Sequence, residues 1–83
     1  MTVRRGATIR PVSYEEKVGI FRVVTDAKGM GAALLAHCEP SDPHFQKAAI
    51  ACLTLESGET GPEQARADFV AALKAAGVFV RDP

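Results

Sequence analysis

From Asp42 to Val80, apolar positions recur at helical spacing in two runs, each bounded by residues that start or stop helices. In the first run Phe45, Ala48, Ala49, Cys52 and Leu53 fall at i, i+3, i+4, i+7 and i+8, with Ile50 and Leu55 on either flank. Asp42 supplies an N-cap, Pro43 takes the first helical position, where a missing N–H costs nothing, and Gly58 provides a left-handed stop. So wide an apolar arc predicts the central, most buried helix. The second run, over 62–76, carries its stripe at Ala65, Phe69, Ala72, Leu73 and Ala76. Its start has two readings: a capping box of Thr60 and Glu63, or a Gly61 cap with Pro62 at the first position. Gly77 then permits a turn into Val78-Phe79-Val80, expected to be a third strand.

The N-terminal third reads as a hairpin. Ala7 to Val12 predicts a short strand, and Pro11, which cannot donate to a ladder, places it at a sheet edge. Ser13 to Lys17 is the expected polar turn. Val18 to Val24 is β-branched and aromatic, which predicts a more central strand, antiparallel to the first. Thr25 or Asp26 caps a further helix with the stripe Ala27, Met30, Gly31, Leu34, Leu35 and Cys38. Gly29 and Gly31 weaken this helix, and either a close approach to the sheet or a late, irregular start accounts for them. The fold class predicted is α+β in the order ββαααβ: a three-stranded antiparallel sheet covered on one face by three helices. Residues 1–6 are expected to be a frayed terminus, Arg4-Arg5 included, and 7–81 a single domain.

These positions carry a family likeness. Pro11-Val12, Leu34-Leu35, Phe45 followed by Ala49 and Cys52, Gly58, Pro62-Glu63, Ala65-Arg66, Phe69, Ala72 and Ala76-Gly77 resemble the domain-of-unknown-function family 982. The resemblance spans about residues 9 to 80. It implies a small α+β protein of the rhizobial and related alphaproteobacterial kind, with no established activity. Where that family usually has Trp-Pro after the paired leucines, this chain has Cys38-Glu39-Pro40, and Gly61 stands where Ser often precedes Pro-Glu.

Composition narrows the function. The 83 residues carry ten basic and ten acidic side chains, a balance that argues against a nucleic-acid binder. No apolar run is long enough to span a bilayer and none follows Met1 as a signal peptide would, so a cytosolic protein is expected. If Cys38 ends one helix and Cys52 lies well inside the next, the two are about 14 Å apart along the axis at ~1.5 Å per residue, beyond a disulfide's reach. Both are read as reduced core thiols.

No catalytic, metal or cofactor signature emerges. His37 and Cys38 are adjacent on a helix and diverge, so with His44 and Cys52 they make a poor zinc set, and the histidines are read as surface residues. Glu15-Glu16 falls in the expected turn and Asp68 on a solvent face, so no carboxylate pair is placed for acid–base work. Gly29-Met30-Gly31 lacks the rest of any phosphate loop. Arg66 beside Phe69 is the best single contact residue, able to fork onto a carboxylate or phosphate, although an i−3 pair with Glu63 is the plainer reading. Pro43, Phe45, Cys52, Gly58, Phe69 and Gly77 are read as structural. A non-enzymatic interaction or regulatory module fits best, working as a homodimer or with an unidentified protein through Ile50 or the sheet edge. The alternative is a small-ligand sensor using the sheet–helix crevice. An enzyme fits least.

Overall fold

The structure, a computed structural model, describes residues 8–81; the segment 1–6 lies outside them. Two long strands, β1 (Thr8–Lys17) and β2 (Ile20–Asp26), are followed by α1 (Ala27–His37), α2 (Pro43–Ser57), α3 (Pro62–Ala75) and a short β3 (Val80–Arg81). The three strands form one antiparallel sheet in the order β2-β1-β3. This is the α+β arrangement that the sequence predicts. The helices share one face of the sheet in two tiers: α1 lies on β2, α3 lies on β1 and β3, and α2 packs on both helices.

The hairpin departs from expectation in three ways. The polar stretch Ser13 to Lys17 continues β1 instead of turning, because its alternate positions still serve the core and Tyr14 is buried. The turn comes directly after that stretch, at Val18-Gly19, where Gly19 adopts a φ of 78° and donates its N–H to the Glu15 carboxylate at 2.8 Å. Finally, β1 is the central strand and β2 an edge, the reverse of the order that Pro11 implies. Pro11 is accommodated because the β1–β2 ladder is irregular between Thr8 and Val12.

The helix ends follow the chain's punctuation. Asp26 caps α1 through Gly29 N–H at 2.8 Å, and Asp42 caps α2 through His44 N–H at 2.8 Å, with Pro43 in the first turn. Gly58 and Gly77 both take left-handed backbone and close Schellman motifs: Glu59 N–H reaches Thr54 carbonyl, and Val78 N–H reaches Leu73 carbonyl. Gly61 caps α3 without a side-chain hydrogen bond, so the capping box with Thr60 does not form.

The buried faces are rotated from the predicted stripes. In α1 they are Ala27, Met30, Ala33 and Leu34; Leu35 points outward and Gly31 is only half-buried. Helix α1 starts immediately after β2, so the strand sets its rotation and turns Ala33 inward instead of Leu35. In α2 the buried set is Ala48, Ala51, Cys52 and Leu55, while Phe45 is partly buried and Leu53 exposed. The most buried helix is α3, not α2. Its Ala65, Arg66, Phe69, Val70, Ala72 and Leu73 are all covered, because it lies on two strands, β1 and β3, and also meets both other helices; Ala76 is exposed.

The two glycines of α1 both lie inside the helix, for different reasons. A Cβ on Gly29 would meet Asp26 Oδ1 and Val24 Cγ1, each at 3.2 Å, so this glycine marks a close approach of helix to sheet. A Cβ on Gly31 would meet nothing within 4 Å. Gly31→Ala should therefore stabilise the fold by up to ~1 kcal/mol through helix propensity, and Gly29→Ala should forfeit most or all of that gain. Urea denaturation at low micromolar protein checks the difference.

Candidate functional site

Two leucines define the main unpaired apolar surface of the helical layer. Leu35 on α1 and Leu53 on α2, each predicted as core, are 75% and 71% exposed. They line one open groove of about 610 Å³, whose floor is Ala27, Gly31, Ala32 and Cys52 and whose rim carries Lys28 and Glu56. Both predicted stripes are thus real apolar stripes, but the monomer covers only one side of each. Burying a leucine is worth about 1.5–3 kcal/mol, so two on one face are a substantial amount of unused stabilisation.

Ile50 is exposed too, at 60%, as its place off the α2 stripe implies. Its surroundings are different. It lines a recess with Ala51 and with the side chains of Lys47, Thr54, Thr60, Gln64 and Asp68. There Asp68 is mostly covered instead of solvent-facing, bonded to Gln64 Nε2 at 3.0 Å and lying 3.6 Å from Lys47 Nζ.

Arg66 is not a surface contact residue. It is 6% exposed, and its Nε and Nη2 donate to the carbonyls of Arg10 and Pro11 at 3.0 and 2.9 Å. The hydrogen-bonding partner of Glu63 is Arg10, through a two-pronged contact at 2.8 and 2.9 Å, not the i−3 pair with Arg66 expected of the helix. Each member of this pair favours the charged form of the other: the Arg10 guanidinium lowers the Glu63 carboxyl, and Glu63 raises Arg10. The linkage is present above the ordinary carboxylate range and is lost as pH falls through the lowered Glu63 value. Both side chains are exposed, so the effect on stability is small.

The other candidates are dispersed. Glu15 and Glu16 lie within β1, the first bonded to the hairpin turn and the second paired with Arg22 on β2. His44 is exposed, as expected, but His37 is half-buried. Its ring meets Tyr14 edge-on at 5.4 Å, and its Nε2 is enclosed without a hydrogen-bond partner. The burial of Tyr14, which faces the core where a turn was expected, is what draws His37 in. Among the described residues, no three of His, Cys, Asp and Glu gather as a metal-binding group. Among the same residues, no helix is long and apolar enough to cross a membrane.

The cysteines are both free thiols held on different carbonyls. Cys38 is half-buried and contacts Ala72 O at 3.6 Å, and Cys52, 8% exposed, contacts Ala27 O at 3.7 Å. Burial pushes the Cys52 thiol up to about 11, with Glu56 adding to the rise; burial also raises Cys38. Neither sits in the electropositive, open setting that activates a nucleophile.

Compared with known proteins, the chain matches no family model, no curated protein and no solved structure. The resemblance to family 982 rests on the residues quoted above.

Cys52 should alkylate slowly in the native protein. With its value near 11, only about one thiol in a thousand is ionised at pH 8. Native labelling at least tenfold slower than in denaturant, read by mass spectrometry, is the expected outcome. Equal rates would place Cys52 outside the core.

Proposed function

We propose that this chain is a small bacterial, cytoplasmic interaction module without enzymatic activity, acting as a two-fold homodimer through the α1–α2 groove. The exposure of Leu35 and Leu53 on one groove is the observation that carries this reading. A two-fold interface uses the same patch twice, so the patch must complement itself. This one has the parts: projecting leucines beside a floor of Gly31, Ala32 and Ala27, which leaves room for the leucines of another copy. Its rim is also complementary. A two-fold axis along the groove sets Lys28 of one copy against the partner's Glu56, and the reverse contact follows by symmetry. A domain of this size gains from such burial, because its own core is limited. The non-enzymatic part of the reading is supported by the carboxylates of Glu16, Glu63 and Asp68, which are engaged by Arg22, Arg10 and Lys47. The resemblance to a family of small bacterial proteins without assigned activity agrees with it.

Leu53→Glu should raise the dimer dissociation constant at least tenfold while leaving helical circular dichroism unchanged. Ile50→Glu, outside the α1–α2 groove, should leave association within twofold of the parent. Sedimentation velocity over a concentration series reads both. A wild type that stays monomeric at high micromolar concentration, or a dimer disrupted by Ile50→Glu and not by Leu53→Glu, would overturn the proposed interface.

A further inference from the structure

Between β1 and α3 lies a second cleft, of about 430 Å³, on a surface that does not share residues with the α1–α2 groove. Among the described residues its charged lining is Arg10, Arg66, Lys74 and Glu63. Arg10 and Glu63 pair with one another and Arg66 is held on backbone, which leaves Lys74 as the cation presented along the described lining. The rest of the lining is apolar: Ala67, Val70 and Ala71. Positions 63, 67, 70 and 74 recur at helical spacing along α3, so the cleft follows the helix for about 16 Å at ~1.5 Å per residue.

The two ends of this stripe differ. At the first turn of α3, Glu63 is locked with Arg10, which satisfies that cation and places a carboxylate at the same end. Arg66, between the ends, is fixed by its hydrogen bonds to the β1 carbonyls. At the far end Lys74 makes no ion pair among the described residues. Its own carbonyl is taken by Gly77 N–H at 3.0 Å, and the neighbouring Leu73 carbonyl accepts from Val78 N–H at 2.9 Å. The helix end is therefore capped by backbone, and the Lys74 ammonium is not needed there.

We infer that this cleft is a binding site for a small aliphatic carboxylate, with the head group on Lys74 and the chain along Val70, Ala71 and Ala67 toward Arg66. The orientation follows from the charges: Glu63 repels an anion at one end, and Lys74 attracts it at the other. Ligand sites of this size characteristically join an apolar wall to a few convergent charged groups. Arg66 acts here as a positioning residue, because its hydrogen bonds hold β1 and α3 at the separation that forms the cleft.

Hexanoate, hexanol and inorganic phosphate, titrated separately into ¹⁵N-labelled full-length protein, test the inference. Hexanoate should give saturable millimolar shifts at the amides of Ala67, Val70, Ala71 and Lys74, without displacing those of Leu35 and Leu53. Lys74→Gln, an exposed substitution that leaves the fold intact, should weaken hexanoate at least fivefold. Glu63→Gln should bind hexanoate no more weakly than the parent. Hexanol and phosphate should each bind at least fivefold more weakly than hexanoate. Absence of saturable shifts, binding unaffected by Lys74→Gln, or hexanol or phosphate equal to hexanoate would each overturn it. The oligomeric state is not the readout, so either interface result leaves this test decisive.

Discussion

The fold turns on one buried cation. Arg66 reaches from the second turn of α3 to the carbonyls of Arg10 and Pro11 on β1. The guanidinium donates two N–H groups to these part-buried backbone carbonyls, tying helix to strand. Burying a charge is costly, and it is tolerated because the planar fork is held on two oriented acceptors. That arrangement joins α3 to β1 through a side chain as well as through core packing.

Fixing α3 on β1 constrains what surrounds it. Cys38, at the end of α1, meets the α3 backbone at Ala72, and Ala65 and Ala72 are fully covered. Small residues on α2 and α3, including Ala48 and Ala51, allow close packing of these helices. The consequence is a thin helical layer. Once α3 occupies the sheet, α1 and α2 have too few neighbours to cover every apolar position they carry, and Leu35 and Leu53 remain outside. The cleft beside Arg66 and the groove beside Leu53 are thus two results of one packing arrangement.

What was legible in the sequence was local. Asp42-Pro43, Gly58, Pro62 and Gly77 act within a turn or two of themselves, so the helix limits could be read to within a residue. The hairpin was less legible, because Ser13 to Lys17 is polar yet belongs to a strand, while the turn begins with an apolar Val18. Pro11 points to the wrong strand order, since its tolerance rests on an irregularity in the β1–β2 ladder that no local residue pattern signals. Helix rotation was also hidden: the stripes of α1 and α2 are broad enough to be buried on either side, and only the neighbours decide. The role of Arg66 had one sequence signal, a charged residue flanked by the stripe positions Ala65 and Phe69, but its acceptors lie more than fifty positions earlier in the chain.

Replacing Arg66 tests this account most directly. Methionine keeps the length and apolar character of the stem but removes every donor, whereas lysine keeps the charge and supplies donors without the fork. The account predicts that Arg66→Met loses at least ~2 kcal/mol in equilibrium denaturation, because it removes two hydrogen bonds from a charged donor, each worth ~1.5–3 kcal/mol. Arg66→Lys should fall between Arg66→Met and the parent. Amide exchange in β1 should accelerate along with the loss of stability. An Arg66→Met protein as stable as the parent, with β1 exchange unchanged, would show that the sheet does not depend on this cation.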